Sequence, residues 1–228
     1  TTTKLSKNLS LKIPILTTIG AKGIISEDNP YNLLVYTGVG GANTPENLIL
    51  NSNDLIIGLC LRHSDVIKVN SFSTDSILID YDETDESSGF GNNSFVITDI
   101  FELQELIKNI VKSKWTVDIC QEIRSRFFNH ILCTENKAGR FLYESSRLIQ
   151  DNITTIVGDG VFQKQSEYLW RTSAPKQFIA TGVGRNMGSA LPAAVGLSLN
   201  YTNESFICQC RVLAKNATQW EKNSNRNF

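Results

Sequence analysis

No apolar run in this sequence is long enough to span a bilayer, and its opening residues, TTTKLSKNLS, lack the apolar core of a signal peptide. Both absences lead us to expect a cytoplasmic chain with no membrane partner. Neither sign of charge is in excess: 22 lysines and arginines face 23 aspartates and glutamates. Without a basic stripe there is no electrostatic footprint for a nucleic acid. The five cysteines, Cys60, Cys120, Cys133, Cys208 and Cys210, are odd in number and form no C-x-x-C pair. That argues against a disulfide framework or a zinc site and for buried thiols. Cys208 and Cys210, two apart on an expected strand, would share a core face. His63 and His130 are isolated and lack metal-ligand spacing, so they read as ordinary polar residues. The densest acidic stretch, Asp80 to Glu86, reads as a solvated loop.

What remains is the composition of a globular protein, 41% hydrophobic and 20% charged, in 228 residues. That length suits one large domain or two ordinary ones. IPILTT (13–18) is β-branched, short and followed by glycine, which predicts a strand. Asn43-Thr44-Pro45 supplies capping residues and a first-turn proline for a helix. DLIIGLCL (54–61) and SILIDYD (76–82) are near-continuous apolar strands, the pattern of a sheet covered on both faces. FVITD then leads into an amphipathic helix running to about Lys112. The pattern is that of a parallel α/β domain.

A polar helical region follows from Trp115 to about Asp151, with turn signals near Lys137-Ala138-Gly139. The alternation then resumes. ITTIVGDG predicts a strand and turn, VFQKQSEYLWRT a helix, KQFIATG a strand, MGSALPAAVGLSL a helix and ESFICQC a last strand. The segment 211–228 is polar and asparagine-rich, with no packing pattern.

Three glycine turns close strands, at Gly38-Val39-Gly40, Gly158-Asp159-Gly160 and Gly182-Val183-Gly184. Such turns aim backbone N–H groups at anions beside a helix start. A dinucleotide fingerprint needs a third glycine, but Asn43 and Met187 occupy that place in the first and last turns. The repeated TGVG has no similar flanks, so it does not mark a duplication.

The run from Gly160 to Gly196 resembles the start of the diphosphate-binding domain in the acetolactate synthase group of thiamine-diphosphate enzymes. The matching residues are Gly160-Val161-Phe162-Gln163, Pro175, Phe178-Ile179, Met187-Gly188 and Leu191-Pro192-Ala193-Ala194-Val195-Gly196. From Gln163 to Met187 is 24 positions, the family's spacing. In the first half, PILTTIGAKGIISEDNP, NDLIIGLCLRHSD and ILIDYD resemble the family's central domain. The implied organisation is a Rossmann-like parallel central domain (1–113), a helical linker (114–150), a partial α/β diphosphate-binding domain (151–210) and a polar tail (211–228).

The resemblance implies thiamine diphosphate and magnesium as cofactors, and a 2-oxo acid such as pyruvate as substrate. Gly160, Val161, Phe162 and Gln163 would line the diphosphate side. Met187, followed by Gly188, would lie beneath the cofactor and keep it bent. A carbonyl near Gly184 or Arg185 would bond its aminopyrimidine. Phe162 stands where the family usually has histidine, and Arg185 where it usually has glycine. Relatives build their sites between subunits, which implies a homo-oligomer, and some hold FAD in the central domain, where Arg62 matches a strand-end arginine.

Two parts of the family pattern have no counterpart here. The family's pyrimidine-binding domain, with the glutamate that starts catalysis, is not matched. The family's magnesium-binding Gly-Asp-Gly turn would fall at Arg211-Val212-Leu213, where there is no carboxylate. Asp159 with Asn186 has about the right spacing to hold the metal instead, but that would make Leu-Pro-Ala-Ala-Val-Gly a coincidence. These residues predict no catalytic group and no metal ligand, and a truncated or frame-disrupted carboligase that is inactive alone. A 2-oxo acid decarboxylase of the same family, or a non-catalytic nucleotide-binding or structural module, are the alternatives.

Overall fold

The structure is a computed structural model that describes residues 12–50, 55–63, 67, 72, 74–80, 90, 93–96, 102, 105, 114–133, 135–149, 152–180 and 187–210. All its sheet pairings are parallel. In the first half, β1 (Ile15–Thr17) pairs with β2 (Asn32–Val35), and β3 (Ile56–Leu59), β4 (Ser76–Asp80) and β5 (Asn93–Val96) form a second sheet. Between these sheets in sequence lies the short helix α1 (Pro45–Leu50), which begins on the expected proline. The apolar runs at 13–18, 54–61 and 76–82 thus become strands, each trimmed at its ends. The helix expected to run to about Lys112 falls almost wholly outside the described residues.

The strand β2 carries no alternating pattern, and its backbone explains why. Its register with β1 shifts between Ile15 and Thr17. Leu34 takes a left-handed φ of 70°, and its N–H is satisfied by the Asn32 side chain at 2.7 Å. All four residues of the strand are buried.

Two helices fill the middle, α2 (Val117–Cys133) and α3 (Lys137–Leu148). The turn signals near Lys137-Ala138-Gly139 are corrected by the structure: those residues open α3. The break lies at Asn136, whose side chain accepts from the Gly139 N–H at 2.9 Å and caps the helix.

The second half is a three-stranded sheet of order β7-β6-β8, with β6 (Ile153–Val157) between β7 (Phe178–Ala180) and β8 (Ser205–Gln209). Helix α4 (Val161–Leu169) connects β6 to β7, and α5 (Ala190–Asn200) connects β7 to β8. Neighbouring residues of β6 face opposite ways. Ile156 packs with Ala190 and Ala194 of α5, whereas Val157 packs with Leu169 of α4, so the two helices cover opposite faces.

One apolar core runs through both halves, gathering Leu34, Tyr36, Leu78, Phe127, Leu142, Val157, Leu169 and Phe178. The expectation of buried thiols holds for Cys120 alone among those placed. Cys208 is half-buried on the Ile156 face, and Cys60 and Cys210 are exposed because each follows the end of its strand. No helix among the described residues is long and apolar enough to cross a membrane.

Candidate functional site at the carboxyl end of the β7-β6-β8 sheet

In open parallel sheets, ligands gather outside the carboxyl ends of the strands. Here the central strand β6 ends in Gly158-Asp159-Gly160, and α4 begins immediately after it. Gly158 fixes three elements at one point. Its N–H donates to the Gln209 carbonyl at the end of β8 at 2.8 Å. A Cβ there would lie 3.2 Å from the Ala190 Cβ at the start of α5. The Gln209 side chain is held in turn, its Oε1 accepting from the buried Ser166 hydroxyl of α4 at 2.6 Å.

Gly160 has a φ of 137°, which only glycine adopts readily, and the space where a Cβ would project is open. No side chain caps α4 at this end. The Gln163 N–H turns back to the Gly160 carbonyl at 3.1 Å, which leaves the amides of Val161 and Phe162 to face an anion, and the helix dipole favours one. Phe162 is about half exposed beside them, and Gln163 is buried in the first turn. Asp159 is half-buried in the turn itself.

The other expected site residues divide into two groups. Met187 and Gly188 stand in the turn that leads into α5, with Met187 68% exposed and Gly188 at a φ of 89°. Met187 is not a core residue: its side chain is free to pack against a ligand. Gly184 and Arg185 lie outside the described residues, as does Asn186. Their part in the site therefore rests on the sequence pattern.

The residues fit the diphosphate end of a thiamine cofactor, on the evidence of the uncapped α4 amides and the glycine cradle. They do not gather a magnesium cage: among the described residues, no three histidine, cysteine or acidic side chains cluster. Arg62 is in a two-pronged pair with Asp80, Nε to Oδ2 at 3.0 Å and Nη2 to Oδ1 at 2.8 Å.

The first glycine turn shows how such a site is closed off. Thr37 and Gly38 aim their N–H groups at the Glu46 carboxylate at 2.7 and 3.0 Å. The Thr37 and Tyr168 hydroxyls bond it as well, at 2.8 and 3.0 Å. Glu46 is 1% exposed, and a Cβ on Gly40 would lie 2.0 Å from its Oε1. This anion nest is filled by the protein's own carboxylate. Burial, and then the Glu46 charge, push the Tyr168 phenol above its ordinary range, so it stays a donor.

A second buried network went unmarked in the sequence. The Lys22 ammonium pairs with Glu27, both out of solvent, and donates to the Glu167 carbonyl at 2.9 Å. Thr172 donates its hydroxyl to Glu27 at 3.2 Å, and Arg124 bonds the Glu27 carbonyl at 2.8 Å. At the surface Arg171 grips Asp28 with two hydrogen bonds, which lower the Asp28 pKa. A signal for this network was present in the close-set Lys22 and Glu27 of the AKGIISEDNP stretch.

Residues 7–103 match a family model described as "Thiamine pyrophosphate enzyme, central domain". This stretch is thus similar to the central domain of thiamine-pyrophosphate enzymes, and its parallel strands are consistent with the Rossmann-like fold of that domain. The relatives the chain is similar to are acetolactate synthase large subunits. The chain is 26% identical over 224 residues to the probable acetolactate synthase large subunit of Methanococcus aeolicus, covering 87% of this chain and 37% of that protein. It is 27% identical over 213 residues to the acetolactate synthase large subunit of Pyropia yezoensis, covering 86% of this chain and 35% of that protein. The counterpart in Porphyra purpurea is 26% identical over the same length. The chain spans about a third of the length of the curated relatives it matches.

Proposed function

We propose that this chain is part of an acetolactate-synthase-like carboligase acting on 2-oxo acids such as pyruvate. Residues 1–113 are its central domain, 114–150 a helical linker, 151–210 the first part of its diphosphate-binding domain and 211–228 a polar tail. The observation that carries the reading is the open, uncapped amino end of α4 behind Gly160, at the carboxyl end of a parallel sheet. Its loop residues are those that match the family's motif.

Bound thiamine diphosphate supplies a carbanion and the electron sink that decarboxylation needs. The chain's own part is to hold and shape it. Gly160, Val161 and the amide of Phe162 take the diphosphate, with Gln163 supporting the first turn. Met187, exposed in the turn before α5, would support the cofactor's rings, and Gly188, at a φ of 89°, lets the backbone turn there. By the family resemblance, a carbonyl near Gly184 or Arg185 would accept from the aminopyrimidine. Phe162 replaces a polar group with an aromatic one, so grip on the diphosphate comes from backbone N–H groups alone at that position. No residue described here is placed to start proton removal, and the 228-residue chain is inactive by itself. In the working enzyme the site is completed between subunits of a homo-oligomer.

Calorimetric titration of the chain with thiamine diphosphate, in the presence of magnesium ion, tests this. Binding is expected, and Gly160→Ala should abolish it, because its φ strains any side chain. Binding unchanged in Gly160→Ala would remove the turn from the site. Incubation with pyruvate should yield neither acetolactate nor free acetaldehyde. Acetolactate from the chain alone would overturn the claim of inactivity, and acetaldehyde without acetolactate would favour a decarboxylase.

A further inference from the structure

The cysteine pair at the end of β8 has no part in the site described above. In a strand, residues two apart point to the same side, with their Cα atoms roughly 6.6 Å from one another. Cys208 packs towards Ile156, Ala190 and Ala194 on the α5 side of the sheet and is half-buried there. Cys210 comes one residue after the strand and is exposed. The backbone between them is held in place. The Gln209 carbonyl accepts from the Gly158 N–H at 2.8 Å, and a Cβ on Gly158 would lie 3.8 Å from the Cys210 Cα. The two thiols are free of any disulfide and meet each other. Partial burial, and then the hydrogen bond with Cys210, raise the Cys208 thiol above its ordinary range.

Two sulfurs side by side can close on each other or on an ion. A disulfide joins Cα atoms usually about 4.4–6.8 Å apart, so the spacing along a strand is near its upper limit. A metal ion placed between the sulfurs needs no such closure. Thiolates are soft ligands, which turns magnesium and calcium away and selects soft ions. Structural zinc and iron–sulfur clusters take four protein ligands, but among the described residues no three histidine, cysteine or acidic side chains gather. A two-sulfur set is left to an ion content with two ligands, and copper(I) is the soft first-row ion of that kind. Access is open: Cys210 is exposed, and β8 is an outer strand of its sheet among the described strands.

We propose that Cys208 and Cys210 form a two-thiolate site for copper(I) at the carboxyl end of β8. The ion binds both sulfurs, each thiol gives its proton to water, and no electron moves. The strand supplies the pre-organisation, since the face shared by residues two apart and the Gly158–Gln209 bond keep both sulfurs on one side of the sheet. Neither thiol belongs to the Gly160 turn, so this site does not depend on the diphosphate reading of that turn.

The test uses the full 228-residue chain, reduced and without oxygen, titrated against the coloured copper(I) complex of bicinchoninate. The chain should draw one copper(I) from the dye. Cys208→Ser and Cys210→Ser should each weaken that hold roughly a hundredfold, since the second sulfur acts at high effective concentration once the first has bound. Cys60→Ser removes the other exposed thiol and should change nothing. Cys210→Ser alters an exposed side chain, so it gives a folded variant even where Cys208→Ser does not. X-ray absorption of the copper-loaded chain supplies a second readout, with two sulfur neighbours and no nitrogen expected. A parent chain that takes no copper(I) from the dye would overturn the proposal. So would full affinity retained in Cys210→Ser, an equal loss in Cys60→Ser, or a third sulfur around the metal.

Discussion

At the scale of single residues, exposure decides chemistry more than residue type does. Cys120 is fully buried under Leu33 and Ile49, whereas Cys60 and Cys210 sit past strand ends in contact with water. Partial burial of the thiol, then the Asp80 charge, push Cys60 above the ordinary thiol range, against the pull of Arg62. Because the thiolate is the reactive form, Cys60 should label slowly near neutrality and keep accelerating as pH rises past that range. Cys120 should stay protected until the chain unfolds. Timed alkylation with peptide mass mapping will check both, and early labelling of Cys120 would contradict its burial. A thiol's place depends on where its strand stops, and strand ends are set by partners that a lone sequence does not display.

At the scale of elements, most of the fold was legible and the networks were not. Apolar runs marked β1, β3, β4 and β6 because a parallel strand covered on both faces needs apolar residues throughout. The strand β2 went unmarked although Leu33, Leu34 and Val35 are apolar; its irregularity, a left-handed Leu34 whose N–H bonds the Asn32 side chain, is a backbone feature that no residue pattern displays. The start of α3 escaped because Lys-Ala-Gly looks like a turn until Asn136 is seen capping it. The candidate site was legible as a motif, but the filling of the first glycine turn was not, since Glu46 lies nine positions beyond Thr37. That nest has a measurable weight. Glu46→Gln sets an amide N–H₂ against donors that need an acceptor, and should cost about 2–3 kcal/mol in urea unfolding. A loss under half of that would mean water takes over the role. The Tyr168 phenol adds a pH signature. Its pKa is raised in the folded state, so its contribution is full below the ordinary phenol value and declines as pH rises above it.

At the scale of the whole molecule, one surface is out of keeping with the rest. Met187, Leu191, Val195 and Leu199 recur every four residues along and just ahead of α5, and each is at least half exposed. A stripe at that spacing lies on a single helix face, and contiguous apolar surface of this kind drives association. Light scattering on a dilution series should show concentration-dependent self-association, and Leu191→Lys with Leu199→Glu should reduce it. A parent chain that scatters as a monomer throughout would remove the stripe as the cause. The packing of the first half against the second carries a different consequence. Lys22 and the Glu167 carbonyl are 145 positions apart, as are Thr172 and Glu27. While the chain emerges from a ribosome, the turn after β1 is made early yet must wait for 145 further positions before its partners exist. Until then a lysine and a glutamate destined for the interior remain in water, held in readiness by their own solubility. The charged pair is buried only once α4 is in place to cover it.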